Sequence, residues 1–466
     1  MSASSDQVAF RRSITLLVMT VIVPGWAQLV AGNKRVGRVA VGVWAALCAL
    51  LVLALLVAVV RHEWLISLFT HPGLMRVAWV LLIALAVAWI ALLSDAWRLG
   101  DPLRLARPHR RVMVGMNTCL CLLTGGALLF SAHLVAVQRD FIISVFSAEA
   151  VSDPHDGRYN VLLLGGDSGA GRWGLRPDSI NVASIDEETG RTVLFSLPRN
   201  MQNIPFPEGS VMAQQFPSGF DCDECYLNSV YTWALGHAEL FDMSPQAAGI
   251  EATTQAVEGV TGLQVNYYAL VNLAGFTDLV DAVGGVQIDV PKQIPIGGIG
   301  SEVTNHIEPG VQRLDGFQTQ WFARSRVDDD DYARMARQKC VLNAMLQQLS
   351  PQTVVLKVQA IAEAGKELLR SDIPASELDT FIGLALKAKS LPLASVSFVP
   401  PKIQTYDPDY ELVHDMVDEA LVRSREATTT ALADDDGQRQ GTRRAKRAGV
   451  DRQERANRSQ DLSSVC

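Results

Sequence analysis

Residues 159–168 read YNVLLLGGDS, residues 176–186 read RPDSINVASID and residues 193–200 read VLFSLPRN. The first is a run of aliphatic side chains that stops at a glycine pair, the pattern of a strand buried on both faces. The other two give strands over residues 179–185 and 191–197. They are joined by Asp186 to Gly190, a turn whose glycine is free to take positive φ. Downstream, Ser244-Pro245 opens a helix that runs to about residue 260 and stops at Gly262. A strand over 265–271, a helix over 273–283 and a strand over 286–290 follow, then a long helix over 331–349 halted before Pro351. Helices are expected over 356–369 and 376–389, and a last strand over 395–399. Strands interleaved with helices predict an α/β domain of three α/β/α layers, with a mixed central sheet covered on both faces.

Upstream of this domain the composition changes. The chain has 466 residues, 48% hydrophobic and only 19% charged, against about 25% charged in soluble domains. Residues 36–60, 77–94 and 112–137 are each apolar over the roughly 20 residues a bilayer-spanning helix needs, and none carries Lys or Arg inside. Residues 13–30 are apolar too, but Pro24, Gly25 and Gln28 predict a hairpin or short span. No small-residue cleavage site follows this stretch and further spans do, so it does not read as a cleavable signal. Lys34, Arg35 and Arg38 flank one side, as do Arg98, Arg104, Arg107, Arg110 and Arg111. Positively charged loops stay cytoplasmic, which makes this a multi-pass membrane protein and places residues after about 138 outside the cytoplasm. The expected organisation is an N-terminal segment over 1–35, transmembrane helices over 36–137 and a linker over 138–158. The α/β domain over 159–405 follows, then a terminal helix over 406–423. The Ala-, Thr-, Gln- and Arg-rich tail over 424–466 buries too little to order itself.

The net charge of −8 is uneven, because residues 1–150 hold 13 Lys/Arg against 6 Asp/Glu. The remainder is acidic, which argues against nucleic acid as a partner. Seven cysteines exclude a disulfide-dense scaffold. Cys222 and Cys225 form a Cys-x-x-Cys with no second pair to complete a zinc site, so a disulfide is expected there; Cys340 and Cys466 show no partner.

Three clusters carry candidate chemistry. Asp167 ends the first strand, after Gly165-Gly166, and Arg176-Pro177-Asp178 opens the second. Two carboxylates at strand edges suit Mg²⁺ (or Mn²⁺), held by one or two carboxylates plus phosphate oxygens. Arg199 ends the third strand. Arg324 and Arg326 are expected on one face of an extended segment, followed by Asp328 to Asp331 and a helix on which Arg334, Arg337 and Gln338 neighbour one another. Guanidinium forks gathered from separate segments match phosphate; pairing with the adjacent aspartates as surface ion pairs is the alternative.

These stretches, with GFTDLVDAVGGVQIDV (275–290), GVQRLDGFQTQWFARSR (310–326) and DDYARMARQ (330–338), resemble the LytR-CpsA-Psr (LCP) family and occur in its order. The resemblance covers roughly half the chain. It implies a phosphotransferase that moves a glycopolymer from a polyprenyl-pyrophosphate lipid donor to a peptidoglycan acceptor, with membrane spans preceding an LCP domain. Carried over, Asp167 and Asp178 bind Mg²⁺ and the pyrophosphate, and either is a candidate general base. Arg324 and Arg326 join them as catalytic residues, while Arg176, Arg199, Arg334 and Gln338 bind phosphate. Pro177 and Asn200 depart from the family, which usually has Ser and Asp there. A non-catalytic sensor of lipid-linked phosphate and a polyprenyl-pyrophosphate hydrolase are the alternatives.

Overall fold

The computed structural model describes residues 3–60, 71–146, 150–167, 176–298, 302–327, 329–348, 357, 360–361, 369–434 and 460–461. Ser168, Asp328, Cys466, the side chain of Asp167, most of the helix expected over 356–369 and most of the tail lie outside the described residues. The chain divides into two units, Met1–Ile143 and Ser144–Cys466.

The first unit is helical: α1 (Ala3–Ile22), α2 (Trp26–Ala31), α3 (Lys34–Val60), α4 (Pro72–Leu99) and α5 (Arg107–Val145). Three of these, α3, α4 and α5, are long and apolar enough to cross a membrane. The apolar stretch over 13–30 is broken at Pro24-Gly25. There α1 ends, Gly25 takes a φ of 93°, and α2 begins. A Cβ at Gly25 would stand 2.5 Å from Ala40 Cβ, so only glycine permits both the turn and the close approach of α3. Leu16, Leu17, Leu93 and Met113 share a core, whereas Leu50, Leu51, Leu122 and Leu123 point outward. An apolar exterior of that extent is what a lipid-facing surface needs.

The second unit carries the sheet. Its elements run β1 (Arg158–Asp167), β2 (Arg176–Asp186), β3 (Thr192–Leu197), α6 (Val211–Gln215), α7 (Leu227–Leu235), α8 (Pro245–Thr261), β4 (Tyr267–Asn272) and α9 (Leu273–Val283). Four short strands follow, β5 (Val286–Val290), β6 (Ile294–Ile296), β7 (Asn305–Ile307) and β8 (Gly310–Leu314). Next come α10 (Gly316–Arg324), α11 (Asp331–Gln348), β9 (Leu369–Ser371), α12 (Leu378–Lys389), β10 (Ala394–Ser397), α13 (Tyr410–Asp434) and β11 (Gln460–Asp461). The main sheet has the order β11-β10-β3-β2-β1-β4-β9. The β1–β4 and β3–β10 pairs are parallel and the others antiparallel, so the sheet is mixed.

Alternation along the strands makes the three layers. Leu162, Leu164, Val182 and Phe195 face α7, α8 and α13, while Leu163, Ala183 and Leu194 face Leu342 and Leu346 of α11. Phe195 is fully buried and stacks on Phe398 at 6.2 Å; truncating such a ring to alanine costs about 3–5 kcal/mol. A smaller core joins α9, α10 and α11 to the β5–β8 ribbon through Val280, Ile288, Phe322 and Val341.

Two expectations need correcting at the C-terminus. The last helix does not stop at 423 but runs to Asp434, because neither Gly nor Pro interrupts the chain before Gly437. The tail also supplies an edge strand, β11, antiparallel to β10. Backbone pairing at an open sheet edge does not require the apolar side chains whose scarcity pointed to a structureless tail.

Candidate active site

The site begins at an irregularity in the β1–β2 ladder. Gly165 pairs with Ser179, but Gly166 pairs with Pro177, which leaves Asp178 as the extra residue of a β-bulge. Bulges re-aim side chains, and proline, lacking an N–H, is tolerated at one. Pro177 therefore fits the geometry that presents Asp178. Across the ladder a Cβ on Gly165 would stand 3.1 Å from Ser179 Cβ, so the first glycine of the motif keeps this approach open. Asp167 lies on the same ladder, opposite Arg176.

Asp178 meets arginines from two other segments. Arg199, just past the end of β3, donates through Nη1 to Asp178 Oδ1, and its Nε lies 3.4 Å from Asp331 Oδ2. Arg334 reaches the same Asp331 oxygen at 2.9 Å and donates to the Asp178 backbone carbonyl at 3.3 Å. Arg326 lies 3.5 Å from Asp331 Oδ1. Arg334 is only 3% exposed. Burial pulls its pKa below the ordinary arginine value, with Asp331 opposing the shift. Its Nε is buried with no hydrogen-bond partner among the described residues, and a buried donor without an acceptor is costly.

That cluster opens onto a cavity of about 220 Å³ between the sheet and α9, α10 and α11. Its apolar walls include Leu163, Ala269, Val271, Phe276, Val341 and Leu342, and its polar groups include Asp178, Arg324, Arg334 and Gln338. Arg199, Arg326 and Arg334 thus each reach Asp331, and Arg199 also reaches Asp178.

The structure thus brings Asp178, Arg199, Arg324, Arg326, Arg334 and Gln338 together. Arg324 and Arg326 do not share an extended segment: Arg324 is the last residue of α10 and lines the cavity, and Arg326 lies beyond the helix. The helix starts at a capping box, in which Asp315 accepts from Gln318 N–H and Gln318 returns a bond to Asp315 N–H. Arg324 also lies over the Trp321 ring, 5.9 Å from its centroid. Arg176 is exposed and outside the cavity lining. Arg337 is committed elsewhere, to Phe322 and Ser325 carbonyls and to Asp329. Burial alone would raise the Asp329 pKa, but hydrogen bonds from Lys292 and Arg337, with their charges, hold it below the ordinary value. Asn200, where the resemblance expects Asp, donates to Thr405 Oγ1 at 3.3 Å and does not line the cavity. Asp331, in the sequence one of four consecutive aspartates with no separate role, is the one that pairs with Arg199, Arg326 and Arg334; its i,i+3 spacing to Arg334 is the signal that picks it out.

Among the described residues no three His, Cys, Asp or Glu side chains converge on a common point. A divalent cation here would draw on one or two carboxylates and complete its shell with phosphate oxygens, the manner in which Mg²⁺ is ordinarily held. Asp178, at the bulge and on the cavity wall, fits that requirement. Away from the site, Cys222 and Cys225 are disulfide-bonded in the loop before α7. Cys340 on α11 is disulfide-bonded as well, where the sequence had indicated no partner.

The model of the LytR_cpsA_psr family matches residues 133–415. Biofilm regulatory protein A of Streptococcus mutans is 26% identical over 243 residues, covering 50% of this chain and 55% of that protein. The polyisoprenyl-teichoic acid–peptidoglycan teichoic acid transferase TagU of Oceanobacillus iheyensis is 27% identical over 226 residues, 48% of this chain and 61% of the transferase. The probable cell wall biosynthesis protein LcpB of Corynebacterium glutamicum is 30% identical over 189 residues, 40% of this chain and 36% of that protein. The matches therefore span little more than half the length of the first two relatives and about a third of the last. Among solved structures, Bacillus subtilis TagV superposes with a TM-score of 0.41 at 21% identity, over 57% of this chain and 97% of that one.

Proposed function

The chain belongs to the LytR-CpsA-Psr family, and we propose that it transfers a glycopolymer from a polyprenyl-pyrophosphate lipid to peptidoglycan, leaving a phosphodiester link. The observation that carries this reading is the junction at Arg334. A buried guanidinium N–H with no hydrogen-bond partner among the described residues lies where an apolar cavity meets a cluster of arginines. A ligand suited to it is anionic at one end and hydrocarbon at the other, as a polyprenyl diphosphate is. Its first isoprene units would lie against Val271, Phe276 and Leu342, with the diphosphate at Arg324, Arg334 and Gln338. Arg199 and Arg326, held by Asp331, and the exposed Arg176 would supply further positive charge.

In the proposed step an acceptor hydroxyl oxygen attacks the phosphorus attached to the glycan. The new P–O bond forms as the bond from that phosphorus to the bridging oxygen breaks, and polyprenyl phosphate leaves with the negative charge. The hydroxyl proton passes to a carboxylate, for which Asp178 on the cavity wall and Asp167 at the end of β1 are the candidates. Phosphoryl transfer depends chiefly on alignment and on neutralising developing charge, and the arginines would supply both. Mg²⁺ held by Asp178 and Asp167 with the diphosphate oxygens would add charge neutralisation at the leaving group.

We place the chain in the membrane by α3, α4 and α5, with the catalytic unit outside the cytoplasm. The arginine-rich connections at 34–38 and 98–111 support that orientation, and the disulfides suit an oxidising compartment. An impermeant protease added to intact cells should then digest the Ser144–Cys466 unit; full protection until lysis would reverse the orientation. The activity is tested with purified chain, a lipid-linked donor and peptidoglycan. Asp178→Ala and Arg324→Ala should each lower transfer by about 10²-fold or more, and full transfer by both variants would refute the site. Release of free glycan phosphate without acceptor linkage would point instead to hydrolysis.

A further inference from the structure

The face of the sheet beneath α11 is not wholly apolar. Ser397 on β10, Ser196 on β3 and Asn181 on β2 are in register across three neighbouring strands, and all are buried, at 5% exposure or less. A polar row under a helix is unfavourable unless its members are hydrogen-bonded. At one end Lys339, itself buried, donates from Nζ to Ser397 Oγ at 2.8 Å. Further along, Ser196 Oγ donates to Asn181 Oδ1 at 2.7 Å, and Asn181 Nδ2 donates to Ser179 Oγ at 2.9 Å. Ser179 is the residue next to the bulged Asp178, and both it and Asn181 line the cavity.

The row has a direction. An ammonium can only donate, and a hydroxyl has one proton and two lone pairs. The lysine charge favours hydroxyl and amide dipoles turned with their oxygens toward it and their protons away. Such an alignment is cooperative along the bonded run Ser196–Asn181–Ser179. Burial lowers the Lys339 pKa to about 8, which still leaves it cationic at neutral pH. At the far end Ser179 Oγ accepts from Asn181 and has its own proton left over, with no acceptor among the described residues.

We propose that Ser179 donates its hydroxyl proton in a hydrogen bond to a diphosphate oxygen of the lipid donor, and that Asn181 and Ser196 are positioning residues that hold this hydroxyl toward the cavity. The assignment rests on the reading that the cavity receives a polyprenyl diphosphate.

Calorimetric titration of the purified full chain with geranylgeranyl diphosphate tests it. Ser179→Ala should weaken binding about tenfold, the effect of losing one hydrogen bond to a charged group, and Ser179→Thr, which keeps the hydroxyl, should bind within about threefold of the parent. Ser196→Ala should also weaken binding, and its combination with Ser179→Ala should be no weaker than Ser179→Ala alone, because both remove the same contact. Binding by Ser179→Ala within twofold of the parent, or full additivity of the two alanine variants, overturns the assignment. If Arg324→Ala abolishes binding while Ser179→Ala does not affect it, this inference alone fails. If the unaltered chain does not bind the probe, the diphosphate reading fails and takes this inference with it.

Discussion

Asp331 is the anion on which the arginine cluster turns. Arg199, Arg326 and Arg334 arrive from three separate places in the chain, and each has a nitrogen within 3.5 Å of one of its oxygens. Removing it would leave a buried guanidinium unbalanced, which is far more costly than losing a surface ion pair. Asp331→Ala should therefore lower transfer by about 10²-fold through misplaced arginines, measured as initial rate at saturating donor; a rate within threefold of the parent would show that the arginines hold their places without it. The sequence made the arginines and Asp178 legible because their residue types suit phosphate, but it left open whether the neighbouring aspartates were partners or competitors. The structure answers that Asp331 is a partner and that Asp329 belongs to Arg337 and Lys292. Elsewhere in the same unit, burial raises the Asp372 pKa from 3.8 to about 6, despite the Tyr268 N–H bond to its carboxylate. Between about pH 4 and 6 the native state keeps a proton that the unfolded chain has released, so this group's contribution to stability falls as pH rises through that window. Asp372→Asn, which keeps an acceptor for Tyr268, should melt about 2–4 °C above the parent at pH 7 and level with it at pH 4. Equal melting temperatures at both pH values would contradict the burial argument.

Among the elements, strands and helices were the most legible and the segment carrying Arg324 the least. The aliphatic runs of β1, β2 and β3 and the Ser244-Pro245 start of α8 announce themselves by period and by cap. Arg324 and Arg326, two residues apart, suggested an extended segment. The Asp315-x-x-Gln318 box, which starts a helix, was present in the same stretch and decides the matter. The cap also fixes where the helix begins, and through its nine residues where Arg324 falls. Asp315→Ala should cost about 1 kcal/mol of stability, read as a fall of a few degrees in the melting temperature, whereas an unchanged melt would show that tertiary packing alone sets the helix. The bulge at Asp178 could not be read beforehand, because register slips depend on the partner strand; Pro177 looked like a departure from the family and is instead compatible with the bulge. Asn200 similarly turns toward Thr405 and leaves the cavity wall unaltered.

For the molecule as a whole, composition separates long apolar helices from an α/β unit, and alternating elements give the layered class. Spacing could not give the convergence of Asp178 with Arg324 and Arg334, roughly 150 residues later. That follows from a strand order in which β4 returns parallel to β1 and from α11 packing across the face where Leu163 and Leu194 point. The apolar cavity arises in the same way, since its walls come from β1, β4, α9 and α11 and read singly as ordinary core. The most direct measurement of the central claim is an experimental structure of the full chain bound to geranylgeranyl diphosphate. The account predicts diphosphate oxygens within hydrogen-bonding distance of Arg324 and Arg334, with the isoprenoid chain against Val271 and Phe276. A ligand seated elsewhere, with no diphosphate oxygen in reach of either arginine, would contradict it.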